Sequence, residues 1–223
     1  MHIELHATGL ENYIKDIVYG ANDGIITTFA VVAGAAGADL SPLVVVILGI
    51  SNLLADGFSM AASNYLGTRS ENSFFRKEEK REIYEVEKMP EKEKEEIRQI
   101  FSERGFGKEE TGKLVDLVSG NKDFWVDFIM KYELEMNPPA DGREWKAATL
   151  TFLAFVIAGI LPLLPFLFLS ATGGQTLYYS IIFTAIALFF VGSARCLVTK
   201  KYWLWSGLEM LLVGGIAAIV AYG

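Results

Sequence analysis

The sequence predicts an all-α membrane protein with five transmembrane helices and a charged helical insert between helices 2 and 3. Two observations predict this fold class. Residues 69–146 hold 16 of the 20 lysines and arginines and 20 of the 27 aspartates and glutamates, so the charges are segregated. The rest of the chain falls into long apolar stretches with few charges, as a bilayer requires. A soluble globular enzyme and a disordered acidic protein are both excluded by this pattern.

The five apolar stretches are each long enough to cross a bilayer. As α-helices of 21 to 25 residues they span about 31–38 Å, against a hydrocarbon core of about 30 Å. Helices are expected because a lipid-exposed backbone has to satisfy its own hydrogen bonds, and these runs lack the alternation of barrel strands. The predicted spans are residues 17–38, 42–66, 147–169, 176–198 and 202–222.

The basic residues predict the orientation of the spans. The short connections 39–41 and 170–175 contain no lysine or arginine, so all 20 basic residues fall on the opposite side of the membrane. The positive-inside rule makes that side the cytosol, which therefore holds the N-terminus and the insert. We divide the chain into residues 1–66 with spans 1 and 2, the cytosolic domain 67–146, and residues 147–223 with spans 3 to 5.

The positions of glycines and prolines predict how the helices approach one another and where they are interrupted. Gly20 and Gly24 form a small-xxx-small face that allows close helix approach, and Pro162 and Pro165 are expected to kink the third span. No strong breaker separates Leu43 from Met89, so the second span is expected to continue into the insert as one helix. Three further insert helices are predicted over residues 91–104, 108–118 and 122–136.

Three pairs of candidate ligands in the insert, two of them acidic and one a methionine with an acid, have a spacing of three. This spacing places the two members of each pair on one helix face. The pairs are Glu82 with Glu85, Glu93 with Glu96, and Met130 with Glu133. Converging carboxylates and a thioether suit a divalent transition ion better than Mg²⁺ or Ca²⁺. Spacing alone nevertheless favours the plainer interpretation, that these are solvated, charge-rich helix faces.

Polar residues inside the predicted spans are more informative. Asp16 and Asp23 share a face of the first helix, and Asn52, Asp56 and Met60 follow one another at intervals of four on the second. An acid at membrane depth is costly and usually faces a cavity, an ion path or a partner. The alternative is a hydrogen-bonded acid that locks helices together. Met60 beside Asp23 would supply a soft ligand.

The remaining composition excludes other classes. A net charge of −7 argues against nucleic-acid binding, because neutralising phosphates needs a basic surface. Cys196 is the single cysteine, so a disulfide framework within the chain is impossible. The first fifteen residues do not have the pattern of a secretory signal peptide. His2 and His6, the two histidines, are expected on a frayed or amphipathic terminal segment.

Several motifs resemble those of the vacuolar iron transporter family. The segments are KDIVYGANDG at 15–24 with AGAAGA at 33–38, GISN at 49–52 with YLGTRS at 65–70, WVDF at 125–128, and ILPLLP at 160–165. They occur in order over nearly the whole chain, so the resemblance is more specific than a single motif.

The resemblance implies a five-span homodimer that moves Fe²⁺ out of the cytosol in exchange for protons, and often accepts Mn²⁺, Co²⁺ or similar ions such as Zn²⁺. These ions are cargo, and no separate cofactor is implied. The cytosolic ligands would be Glu82, Glu85, Glu93, Glu96, Met130 and Glu133, which reverses the preference for solvated faces. The membrane path would include Asp23 and Met60, with Asp16 near the cytosolic mouth.

Two positions depart from the family pattern. Asn52 stands where many relatives have glutamate, and Asp56 one turn later is an additional acid. Either Asp56 takes over the role of that glutamate, or the coupling differs from that of the relatives. Ile129 stands where relatives often have a second methionine beside Met130, which reduces the softness of the cytosolic site.

The expected function is therefore proton-coupled export of divalent metal, in a prokaryotic plasma membrane or, in a eukaryote, the vacuolar membrane. A membrane-anchored di-iron oxidase is the alternative from the enzyme class. Di-iron carboxylate proteins are helix bundles whose metal ligands include Glu-x-x-His pairs, whereas the insert contains no histidine. A membrane scaffold whose insert senses metal without transporting it is the third hypothesis.

Overall fold

A computed structural model describes residues 13–140, 142–169, 173–196 and 202–222, with the side chains of 173, 174 and 218–222 not described. His2, His6, Lys200 and Lys201 lie outside the described residues. All regular secondary structure in the described part is helical, and the chain divides into two compact units. The membrane unit comprises Met1–Leu66 and Glu144–Gly223, and the charged unit comprises Gly67–Arg143.

The apolar stretches form long helices. Four helical segments of the described residues have the length and composition to cross a bilayer, and the last helix is also apolar over its described side chains. A membrane protein with several apolar helices is therefore established, while the count of five spans remains a prediction. The helices are α1 (Ile14–Gly37), α2 (Pro42–Lys88), α6 (Arg143–Gly159), α7 (Leu164–Phe168), α8 (Gly173–Ala194) and α9 (Trp203–Tyr222).

Helix α1 packs against α6 with backbone on backbone. A Cβ atom added to Gly20 would lie 2.4 Å from the carbonyl oxygen of Thr151, and one added to Gly24 would lie 2.3 Å from that of Phe155. Both distances are shorter than any tolerated contact, so only glycine permits this approach. The prediction from the small-xxx-small face is confirmed.

The third apolar stretch is interrupted where its prolines predict a kink. Helix α6 ends at Gly159, a 3₁₀ turn covers Leu161–Leu163, and α7 follows. Proline cannot donate the intrahelical hydrogen bond, so the ladder changes its pattern at this point. The carbonyl of Pro162 accepts a hydrogen bond of 2.7 Å from the Ser180 hydroxyl on α8.

The charged unit consists of the second half of α2 and three shorter helices. As predicted, α2 is a single helix of 47 residues that contributes to both units. The shorter helices are α3 (Pro90–Glu103), α4 (Lys108–Ser119) and α5 (Lys122–Tyr132). They enclose an apolar core of buried residues, which are Phe75, Val86, Ile97, Val115, Val118, Trp125, Val126, Phe128, Ile129 and Met130.

Helix α5 is shorter than predicted. The sequence predicts a helix to Met136 because Asn137-Pro138-Pro139 is the first strong breaker, but α5 ends at Tyr132. Backbone hydrogen bonds from Leu134 to Ile129 and from Met136 to Met130 close the helix end, and Glu135 has φ of 54°. The turn folds Leu134 and Met136 back onto the apolar core, and this gain of packing outweighs continued helix.

Candidate functional site

The acidic pairs of the charged unit meet near its core. Glu82 and Glu85 on α2 are buried, and Glu93 on α3 is 0% exposed. Glu96 on α3 is partly buried, and Glu133 caps the C-terminus of α5 as an exposed residue. Buried carboxylates are rare unless they are paired or bind a cation, so their number here indicates more than a solvated helix face.

The pKa of Glu82 is influenced by acids from three separate elements. The pKa of Glu82 is raised to about 7, mainly by burial and then by the charges of Glu85, Glu133 and Glu96, in that order, while Arg81 opposes the shift. Those three acids come from α2, from the end of α5 and from α3. Carboxylates from three separate elements are therefore close enough to destabilise each other's charge.

The pKa of Glu93 is raised still further, to about 8. Its complete burial is the main cause, followed by a hydrogen bond with Glu96 and the negative charge of that neighbour, while Lys92 opposes the shift. Its Oε2 atom has no hydrogen-bond donor among the described residues. With its pKa at about 8, the buried Glu93 carboxyl favours a bound proton near neutral pH, or a cation that neutralises it.

The pKa of Glu133 is also raised, whereas the pKa of Glu85 is lowered. Desolvation of its carboxyl and then the charge of Glu96 raise the pKa of Glu133. Hydrogen bonds from Lys92 and Arg81 lower the pKa of Glu85, and the same contact with Glu85 raises the pKa of Lys92. Arg81 Nε lies 2.7 Å from Glu85 Oε1. Basic side chains thus favour the charged form of Glu85, whereas burial and neighbouring carboxylates favour the protonated forms of Glu82, Glu93 and Glu133.

The described residues do not present an assembled coordination shell. No three histidine, cysteine, aspartate or glutamate side chains among them lie together as a metal-binding group. Met130 is buried and belongs to the apolar core of the unit. Mutual repulsion and the contacts of Lys92 hold the carboxylates in their present arrangement. The cluster supplies oxygen ligands in one place, and bringing them to coordination distance requires side-chain movement.

A second pair of acids lies in the membrane unit. Asp23 on α1 and Asp56 on α2 are both half-buried, and their carboxylates are close enough to repel each other electrostatically. The backbone carbonyl of Asp23 accepts a 2.9 Å hydrogen bond from the Thr27 hydroxyl. Two half-buried acids on different apolar helices, one acting on the charge of the other, are an arrangement that a shared proton or cation stabilises.

Asp16 belongs to a hydrogen-bond network that joins three helices. The side-chain amide of Asn64 on α2 donates to Asp16 Oδ1 at 2.8 Å and to Thr151 Oγ1 on α6 at 2.7 Å. Thr151 is buried, and its backbone is the one that Gly20 approaches. One face of α1 therefore carries both the backbone contact with α6 and a charged group held by neutral donors.

Asn52 and Met60, the other predicted path residues, each stand four residues from Asp56 in the sequence but have different surroundings. Asn52 is half-buried, and its Nδ2 group has no hydrogen-bond acceptor among the described residues. Met60 packs against an apolar cluster of the membrane unit that includes Val32 and Phe155. Met60 therefore belongs to an apolar cluster, whereas the link between Asp23 and Asp56 is the effect of the Asp56 charge on Asp23.

Sequence reasoning overlooked two partners. Asn64 continues the row of Asn52, Asp56 and Met60 at the same interval of four, and this continuation was the available signal. Lys92 stands seven residues after Glu85 and four before Glu96, but a lysine in a charge-rich helix gives no distinctive pattern. Only the fold shows that its ammonium lies among carboxylates of two helices.

Comparison with known proteins gives a consistent result. The model of the VIT family matches residues 14–223. The chain is 33% identical over 222 residues to a protein of Centaurea cyanus named vacuolar iron transporter, covering 100% of this chain and 90% of that one. It is 35% identical over 230 residues to the vacuolar iron transporter of Toxoplasma gondii, covering 100% and 76%. The vacuolar iron transporter 1 of Arabidopsis thaliana is 33% identical over 221 residues, covering 99% and 88%.

Proposed function

The chain belongs to the VIT family, and from this premise we propose that it transports divalent iron out of the cytosol in exchange for protons. The proposed cargo extends to Mn²⁺ and to similar ions such as Co²⁺ and Zn²⁺. The protein acts as a homodimer of five-span chains, with the N-terminus and the charged unit in the cytosol. It resides in the plasma membrane of a prokaryote or the vacuolar membrane of a eukaryote.

The convergence of glutamates in the charged unit carries the proposal. Carboxylates from α2, α3 and the end of α5 raise one another's proton affinity, and Glu82 and Glu93 have pKa values of about 7 and about 8. Oxygen ligands in this number suit a divalent cation. We assign Glu82, Glu85, Glu93, Glu96, Met130 and Glu133 to metal capture, with Met130 as the soft ligand that favours a transition ion.

The acids of the membrane unit support a path across the bilayer. Asp23 and Asp56 repel each other from adjacent helices, and either a metal ion or protons relieve that repulsion. A carboxylate that binds one or the other is the physical basis of exchange, because loading of metal then releases protons. We place Asp16 at the cytosolic mouth, and Asp23, Asp56, Asn52 and Met60 along the path.

A flux measurement tests the transport step. Purified protein in proteoliposomes is expected to move Fe²⁺ under a pH gradient, and Asp23→Asn is expected to reduce this flux to the background of empty vesicles. The matched control is Asp39→Asn, which makes the same chemical change at an exposed residue with φ of 55°. Asparagine tolerates that backbone conformation, so the control is expected to transport normally. Full flux by Asp23→Asn would contradict the proposed path.

The capture step is tested by binding. The double variant Glu82→Ala with Glu96→Ala in the full chain is expected to weaken Mn²⁺ binding about tenfold or more in calorimetry, because two ligands are lost. Glu91→Ala with Glu95→Ala removes two exposed acids of α3 and is expected to bind normally. Unchanged affinity in the first variant would refute the ligand assignment while leaving the transport proposal to the flux measurement.

Topology is tested by labelling. After Cys196→Ser removes the native thiol, a cysteine replacing exposed Glu109 of α4 is expected to react with an impermeant reagent only from the cytosolic side. A cysteine replacing Asp39 is expected to react only from the opposite side. Labelling of both positions from one side would contradict the proposed orientation of the charged unit.

A further inference from the structure

The ammonium group of Lys92 lies among three carboxylates that belong to two helices. Its Nζ atom is 3.0 Å from Glu85 Oε2 on α2, 3.3 Å from Glu93 Oε1 and 3.1 Å from Glu96 Oε1 on α3. A lysine with three acidic contacts acts as a compact cation at the centre of an anionic cluster. Its position is therefore one that a bound metal ion would also favour.

Burial separates the fixed members of this cluster from the movable one. Glu93 is 0% exposed and Glu85 is buried, so their carboxylates are held by the packing around them. The Lys92 side chain is 54% exposed and sits on four rotatable bonds. The ammonium can thus turn outward into water without disturbing the core, whereas the carboxylates stay in the unit.

Two other lysines of the charged unit have ordinary surface contacts. Lys94 Nζ contacts Glu91 at 3.1 Å, and Lys113 Nζ contacts Glu109 at 2.7 Å. Both acids are largely exposed, so these pairs contribute little to stability. Lys92 differs because its partners are acids already assigned to metal capture.

We propose that Lys92 is a tethered cation that competes with the divalent metal for the oxygens of Glu85, Glu93 and Glu96, and so sets the affinity of the cluster. This inference rests on the proposed role of the charged unit in metal capture. A metal ion bound to those oxygens would lie within a few ångströms of the ammonium, and two cations at that separation repel strongly where water is excluded. Binding of metal therefore requires the Lys92 side chain to leave.

The competition has a consequence for selectivity. An ion displaces Lys92 only if its interaction with the carboxylates exceeds that of the ammonium. Mg²⁺ gives up its water ligands reluctantly, whereas transition ions bind carboxylate and thioether groups more readily. Lys92 thereby excludes weakly bound ions from the cluster and keeps the capture step reversible, which a transporter needs in order to pass its cargo on.

Calorimetry on the full-length protein tests this directly, with Mn²⁺ as the probe at low ionic strength. Lys92→Met removes the charge while keeping most of the apolar stem, and is expected to bind Mn²⁺ about tenfold more tightly than the unmodified protein. Lys94→Met is the matched control on the same helix and is expected to leave affinity unchanged. Lys92→Arg keeps the positive charge and is expected to retain competition.

A second readout protects the test against misfolding. Lys92→Met is expected to lower the melting temperature before Mn²⁺ is added, because Glu93 and Glu96 lose their ammonium partner and Glu85 keeps Arg81 alone. The melting temperature of this variant is expected to rise more on addition of Mn²⁺ than that of the unmodified protein. Lys92→Gln serves as a second neutral variant if the first fails to fold.

The outcomes separate the two proposals. Equal or weaker Mn²⁺ binding in both neutral variants overturns the competition and leaves metal capture intact. Absence of saturable Mn²⁺ binding in every protein overturns metal capture, and the competition with it. A tenfold gain that disappears in the arginine variant is the result expected.

Discussion

The two units of the molecule handle acidic residues in opposite ways. In the charged unit, acids are numerous and neutralised by basic side chains or by protons, as with Glu85 beside Lys92 and Glu93 at a pKa of about 8. In the membrane unit, acids are few, and Asp16 is held by the neutral amide of Asn64. A carboxylate of the charged unit thus has basic side chains and neighbouring acids to stabilise it, whereas one among apolar helices depends on a specific neighbour.

The two units also differ in what holds their helices together. In the membrane unit, Gly20 and Gly24 let α1 touch the backbone of α6. In the charged unit, large side chains such as Trp125 and Phe128 fill an apolar core between short helices. Lipid tails are as apolar as leucine, so packing in the membrane unit relies on close approach, while packing in the charged unit relies on removing apolar surface from water.

Among the differences expected between the two units, the largest is the pH dependence of metal binding in the charged unit. Glu82 and Glu93 have pKa values raised to about 7 and about 8, so both hold protons at acidic pH and metal has to displace them. Affinity for Mn²⁺ is expected to fall by up to about 100-fold for each pH unit below 7, which corresponds to two displaced protons. Calorimetry in buffers of different ionisation enthalpy counts those protons.

The same shifts predict the opposite sign for stability. A carboxyl whose pKa is raised on folding stabilises the fold fully below its ordinary value of 4.5 and loses that contribution as pH rises through about 7 and then 8. Without added metal, the melting temperature of the charged unit is expected to be lower at alkaline pH than at mildly acidic pH. Mn²⁺ affinity that is independent of pH would show that these carboxyls are not the ligands.

A glycine substitution is expected to act with opposite sign in the two units. Gly24→Ala places a Cβ atom 2.3 Å from the Phe155 carbonyl, so it is expected to destabilise the protein by about 2 kcal/mol. Gly112→Ala on α4 meets no atom within 4 Å and is expected to stabilise by about 0.5–1 kcal/mol through lower backbone entropy of the unfolded chain.

Thermal unfolding of the purified protein measures both effects. Gly34→Ala is the control on α1, since its Cβ also meets open space. It is expected to leave the melting temperature unchanged or slightly higher. Equal destabilisation by Gly24→Ala and Gly34→Ala would show that helix approach in the membrane unit does not depend on backbone contact.

The interhelical network predicts a smaller loss. Thr151→Val removes the hydroxyl that accepts from Asn64 on α2, and is expected to cost about 1 kcal/mol. Thr149→Val is the matched control, because the Thr149 hydroxyl donates to the Trp145 carbonyl within its own helix. Melting curves and iron flux are measured together. A loss of stability in the control as large as that in Thr151→Val would contradict a specific role for the network.

The smallest effect is expected at an exposed ion pair of the charged unit. Lys113→Ala breaks the contact with Glu109 on the surface of α4, and is expected to change stability by less than about 0.5 kcal/mol because water and salt screen the pair. Thermal unfolding at low and high salt measures it. A loss comparable with that of Thr151→Val would mean that surface pairs hold the charged unit together.

Much of this molecule is determined by the sequence alone. The segregation of charge, the length of the apolar runs, the glycine face of α1 and the prolines after α6 each have a local physical cause, and the corresponding predictions about helix approach and interruption are confirmed. Helix α2 continues as one element because no residue between Leu43 and Met89 interrupts its backbone ladder. Such features depend on a residue and its neighbours along the chain.

Other features were decided only by tertiary structure. Helix α5 ends at Tyr132 because Leu134 and Met136 gain more by folding onto the core than by extending the helix. Spacing placed Glu82 and Glu93 on helix faces, but their burial depends on neighbours distant in the chain, and that burial is what raises their pKa. The position of Lys92 among three carboxylates has the same origin, since electrostatic interaction depends on separation in space and on exclusion of water.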